Sequence, residues 1–181
     1  MYRGLIWVVF GVLAASLVAG CGGDDGGGDS SATAWADDVC SAITTWTDSI
    51  TSATDSLKGG NLNEDALSSA ADDVSSATSD FVDDVRGLGP PDTEGGEQAK
   101  KSLDQLADDA DENLSTVQNA VDDVSGASGI VAAITTISTA ISTMSQQFSS
   151  TFTELEQLDP GGELETAFNE ADSCDQLRSG G

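Results

Sequence analysis

The chain contains no histidine, and its single tyrosine is Tyr2. Without imidazole there is no Ser–His or Cys–His nucleophilic pair and no His-ligated metal site. Positive charge is nearly as scarce. Six Lys and Arg stand against 32 Asp and Glu, a formal net charge of −26. Lys58, Arg86, Lys100, Lys101 and Arg178 are too scattered to form a basic patch. A phosphate backbone or an anionic headgroup would be repelled, which excludes nucleic acid as a partner. Three prolines leave long stretches free of helix breakers. No useful segment alternates with the period of a strand, so no glycine motif has the strand–helix context of a phosphate loop. Carboxylate chemistry remains, but it needs one carboxyl raised by burial. No isolated Asp or Glu lies on an apolar stripe. The expectation is a non-enzymatic protein with no catalytic residue, no cofactor and no metal.

Long apolar runs are limited to one. Leu5 to Ala19 is uncharged, with Arg3 before it. Its length falls short of the roughly 20 residues of a spanning helix and fits the core of a secretory signal. It ends in Leu17-Val18-Ala19-Gly20-Cys21, which resembles a bacterial lipobox. The resemblance implies a signal peptide over 1–20 and lipidation of Cys21 with acyl chains of the palmitate kind. Two or more such chains hold a protein stably at a membrane. Residues 21–33 then form the lipidated cysteine and a tether. Gly22 to Ser31 has no apolar residue and reads as flexible coil. Asp24, Asp25 and Asp29 lack the EF-hand spacing.

With Cys21 taken by lipid, Cys40 and Cys174 are left in a compartment where disulfides persist. Pairing them closes a loop of 134 residues, worth about 5 kcal/mol in the chain-entropy model. Metal ligation by the pair would need two further ligands, and no histidine can supply them.

From residue 34 to 181 the pattern is helical. Val39, Ile43, Trp46, Ile50, Ala53 and Leu57 alternate steps of four and three. Leu67, Ala71, Val74, Thr78, Phe81, Val85 and Leu88 do the same, as do Ala99 through Asn113 to Val124 and Ile130 through Ile141 and Phe148 to Leu158. Each stripe predicts a helix with one buried face. Gly59-Gly60 ends the first, and Asn61 with Glu64 starts the second. Gly87-Leu88-Gly89-Pro90-Pro91 ends the second, with Asp92 or Thr93 as cap of the third. Ser125 to Gly129 reads as a turn, with a kink in one long helix as the alternative. Asp159-Pro160 opens a short fifth helix that carries Cys174. The predicted fold is all-α: an antiparallel up-down four-helix bundle with a short C-terminal fifth helix. Trp35 and Trp46, eleven residues apart, share a face and read as core anchors.

Two surfaces stand out. Asp37-Asp38, Asp72-Asp73, Asp83-Asp84, Asp108-Asp109 and Asp122-Asp123 each lie between apolar positions three apart. They read as a solvated face, with weak divalent-cation binding as the alternative. By contrast, Gly126 to Thr153 has no charge at all. Ten of the 23 residues from Ile130 to Phe152 are Ser or Thr, which makes the segment read as too polar for a membrane span. It is either the most buried helix or a neutral docking face that avoids desolvating charge. The candidate partner face is Thr135, Thr139, Thr143, Gln146 and Gln147.

The lipobox, the Gly/Asp tether, Trp35-Ala36-Asp37-Asp38-Val39-Cys40 and Leu88-Gly89-Pro90-Pro91-Asp92-Thr93 together resemble small uncharacterised cell-envelope lipoproteins of the actinobacterial, high-GC Gram-positive type. The resemblance implies a position on the extracytoplasmic face of the cell membrane, held by lipid on Cys21. It brings no other functional residue. The expected function is a binding or interaction module of the cell envelope, with an envelope protein or component as partner. A small-ligand or divalent-cation-binding bundle is the alternative, and self-association through heptads is open.

Overall fold

A computed structural model describes residues 27–59, 62–159 and 161–179. Six helices follow in order: α1 (Gly27–Gly59), α2 (Glu64–Gly87), α3 (Gly96–Asp122), α4 (Gly126–Gln157), α5 (Glu163–Glu170) and α6 (Asp172–Ser179). No strand occurs among the described residues, so the all-α reading holds. The signal segment, Cys21 and Asn61 lie outside the described residues.

The stripes read from the sequence form one core. Val39, Ile43, Trp46 and Ile50 of α1 are buried with Leu67, Val74, Phe81 and Val85 of α2, Leu103, Leu106 and Val117 of α3, and Ile137, Met144 and Phe148 of α4. Thr78 is fully buried on the α2 stripe because its hydroxyl accepts the Trp46 indole N–H at 3.1 Å. Trp35 donates its indole N–H to the Gly89 carbonyl at 2.9 Å. Both tryptophans are therefore core anchors with their one polar atom satisfied.

Neighbouring helices pack in chain order: α1 on α2, α2 on α3 and α3 on α4. Helices α5 and α6 pack on α1. The α1 and α4 backbones hardly approach one another, whereas α4 touches α2 across the core. Large rings fill the gap. Phe148 of α4 lies 4.8 Å from Trp46 and 5.0 Å from Phe81, centroid to centroid.

Several boundaries differ from the sequence reading. Helix α1 starts at Gly27, inside the segment read as tether, and Ala32 is fully buried. Ala32 continues the face of Ala36 and Val39, so one more turn gains burial. Asn63, not Asn61, caps α2, its side chain accepting the Ala66 N–H at 2.8 Å. Neither Asp92 nor Thr93 caps α3. That helix starts at Gly96, and the Thr93 hydroxyl is buried without a hydrogen-bond partner. A Cβ on Gly96 would sit 1.9 Å from the Pro91 carbonyl oxygen, so only glycine fits there.

The α3–α4 break is a turn rather than a kink. Gly126 adopts φ 68° and donates its N–H to Glu64, which closes that end of the molecule. The expected fifth helix is two helices, broken at Ala171, and Cys174 lies on α6. Asp159 precedes α5 by more than a cap position. Its carboxylate still accepts the Glu163 and Leu164 N–H groups at 2.7 and 3.2 Å, which explains a buried carboxylate at a helix start.

Candidate functional site

Helix α4 is not the most buried helix. Six of its 32 residues are buried, against eight of 24 in α2. By length and composition it is also apolar enough to cross a membrane, with a mean hydropathy of 1.4 over 18 residues, of which 17% are buried. That measure overturns the reading of the segment as too polar. Its Ile, Val, Ala and Phe outweigh hydroxyls that carry no charge. A core helix passes the same test.

The hydroxyls of α4 are largely turned inward on their own helix. Thr135, Thr136, Thr139, Thr143, Ser145, Ser149 and Thr153 each donate to the carbonyl four residues earlier, at 2.9–3.2 Å. A hydroxyl buried without a partner costs about 1–3 kcal/mol. These already hold a partner, so covering them with another surface avoids most of that cost.

The five candidate partner residues do not form one uniform patch. Thr135, Thr139 and Thr143 are exposed and lie one turn apart, and Val131 continues the line at 65% exposure. Gln146 is exposed. Gln147 is half-buried and accepts the Asn113 side-chain N–H at 3.0 Å. Gln147 thus serves the α3–α4 seam. Asn113, a polar residue on an apolar stripe, was the sequence signal for such a bond. Thr143, Gln146 and Gln147 line one wall of a shallow α3–α4 depression of about 550 Å³, faced by Gln98, Lys101 and Gln105.

A second concavity was not read from the sequence. Where α4 stands off α1, a groove of about 670 Å³ runs between them and ends at α6. Ile43, Phe148, Phe152 and Leu177 supply its apolar surface, and Ser and Thr of both helices line its edges. Asp48 is its one charged residue among the described side chains. Phe152 stacks tilted on Phe168 at 4.8 Å, so the groove floor is continuous with the ring contacts of α5. The sequence signal was the Phe148–Phe152 pair, too large for one turn of a closely packed helix.

The groove has a covalent end wall. Cys40 and Cys174 form a disulfide with a Cα–Cα distance of 5.0 Å, as the cysteine count predicted. Asp37, read as part of the solvated acidic face, instead accepts the Ser173 N–H at 2.9 Å and caps α6. Asp72, Asp73, Asp83, Asp84, Asp122 and Asp123 are exposed. Among the described residues no three Asp, Glu or Cys side chains converge where a metal ion could be held.

Three of the cations pair with nearby acids. Lys58 pairs with Asp55 at 3.0 Å, and Lys100 pairs with Asp104. Arg86 of α2 donates to Asp108 and Asp111 of α3 at 2.8 Å each. The Asp108 hydrogen bond, then that of Asp111, holds the guanidinium above its ordinary pKa. No protein-family model, curated protein or solved structure matches the chain.

Proposed function

We propose that the protein is a lipid-anchored, extracytoplasmic binding module whose helices form an antiparallel up-down four-helix bundle. Cross-contacts support that topology. Trp35 meets Gly89 while Trp46 meets Thr78, and Arg86 meets Asp108 while Glu64 meets Gly126. Asn113 meets Gln147 while Ser102 meets Glu154. Each later residue on one helix meets an earlier one on the next. Cys21 carries the lipid, and the outer face of α4 takes the partner, a protein of the cell envelope.

One observation carries the reading. In a chain of net charge −26, the long helix least covered by its own neighbours is the one with no charge over 28 residues. Solubility alone would place charge there first. A neutral face with satisfied hydroxyls is what a contact surface needs, because nothing charged must be desolvated.

Two experiments test the two halves. Cys21→Ser should move the protein from the membrane fraction to the soluble fraction of producing cells. Retention in the membrane fraction overturns lipid anchoring through that cysteine. Thr139→Asp and Thr143→Asp should reduce recovery of the crosslinked envelope partner at least tenfold. Both positions are exposed, so the melting temperature should stay within about 2 °C. Undiminished recovery removes α4 as the contact face.

A further inference from the structure

The groove between α1 and α4 is chemically unlike the rest of the surface. Its floor is aliphatic and aromatic, its walls are hydroxylated, and among the described side chains no Lys or Arg lines it. At about 670 Å³ it lies within the roughly 300–1,000 Å³ typical of small-molecule sites.

Five of its six lining hydroxyls already donate within their own helices. Thr44 and Thr47 donate to the Cys40 and Ile43 carbonyls, both at 2.8 Å. Ser145, Ser149 and Thr153 on the facing wall likewise donate within α4. With those donors used, these five residues offer a ligand methyl groups and oxygen lone pairs, and Thr51 and Gln176 complete the polar lining. Acceptor-bearing anions find no donor among those five hydroxyls, and the net charge of −26 repels them. A ligand with an apolar body and a positively charged, donor-bearing or methylated ammonium head is complementary on each count. Asp48 at the edge supplies the counter-charge.

We propose that the α1–α4 groove, walled at one end by α6, binds an elongated single-chain cationic amphiphile. The alkyl chain would lie along Ile43, Phe148, Phe152 and Leu177, with the ammonium head beside Asp48. Thr139 and Thr143 lie outside this lining, so the site stands or falls separately from the α4 docking face.

The test is calorimetric titration of the disulfide-bonded protein with dodecyltrimethylammonium, kept below its micelle-forming concentration. Dodecyl sulfate and dodecyl maltoside serve as chain-matched anionic and neutral probes. One saturable site is expected for the cationic probe, weaker binding for the neutral one and none for the anionic one. Ser149→Trp and Thr47→Trp, each at an exposed groove position, should weaken cationic binding at least tenfold. Ser115→Trp, on the exposed side of α3, should leave it unchanged. Asp48→Asn should weaken the cationic probe several-fold and leave the neutral one alone. Binding untouched by both groove tryptophans would mean diffuse attraction to an acidic surface and would overturn the site. Equal affinity for all three probes would overturn the cationic assignment, and absence of saturable binding would overturn the proposal whole.

Discussion

Cys40→Ser is expected to destabilise the protein by about 2–5 kcal/mol, a fall in melting temperature of roughly 4–20 °C for a chain of this size. The bond joins α1 to α6 across 134 residues, and both cysteines are fully buried. Helix α6 is eight residues long and mostly polar, too short to stand alone in water. Among its other attachments are the Asp37 cap and the partly buried Leu177. The loss should therefore begin locally, with faster amide exchange over 172–179 than in α2 or α3. Reduced wild-type protein should melt with the variant. Two titratable thiols in unreduced protein, apart from Cys21, would contradict the bond.

Phe148→Ala is expected to cost about 3–5 kcal/mol. Phe148 is 7% exposed and sits between Trp46 and Phe81, where α4 comes no closer to α1. Its removal leaves a cavity that the stand-off helices cannot close without moving α4. Trp46 would lose its nearer ring neighbour while its indole N–H stayed bonded to Thr78. Denaturant unfolding should show the loss, and Trp46 emission should shift. Phe148→Leu keeps most of the volume and should cost about 1.5 kcal/mol or less. A loss below about 1 kcal/mol for the alanine variant would mean that the rings do not hold the helices apart.

The helical stripes were legible because burial along a helix is a local, periodic demand on residue type. Val39, Trp46, Leu67, Phe81, Leu103 and Met144 were all named by spacing alone, and all are buried. The disulfide was legible because Cys40 and Cys174 are the two cysteines outside the lipobox-like segment. Caps were less so. Asn63 and Asn61 are equally good cap residues, and only the path of the loop selects one. Asp37 and Asp159 looked like ordinary surface acids, yet each holds N–H groups brought to it by the fold, in the case of Asp37 from the far end of the chain.

Helix α4 shows where a stripe stops being informative. Ile130, Ile134 and Ile141 share spacing with Ile137 and Met144, yet are only half-buried. Periodicity says which residues face inward but not whether a neighbour is there to meet them. Here α3 and α2 meet one edge of the stripe, and the other edge looks toward α1 across the gap that the rings maintain. The groove follows from that asymmetry between helices, which no single segment encodes.

The Cys40–Cys174 bond also changes what cutting the chain can do. Nearly all of the helical region, from the middle of α1 to α6, lies inside one covalent ring. A protease that severs a single turn, such as the one between α3 and α4, opens the ring without freeing either piece. Both fragments stay joined to the segment that leads back toward Cys21. The protein can be nicked once and still present its helices at the same place, and only reduction or a second cut releases part of it.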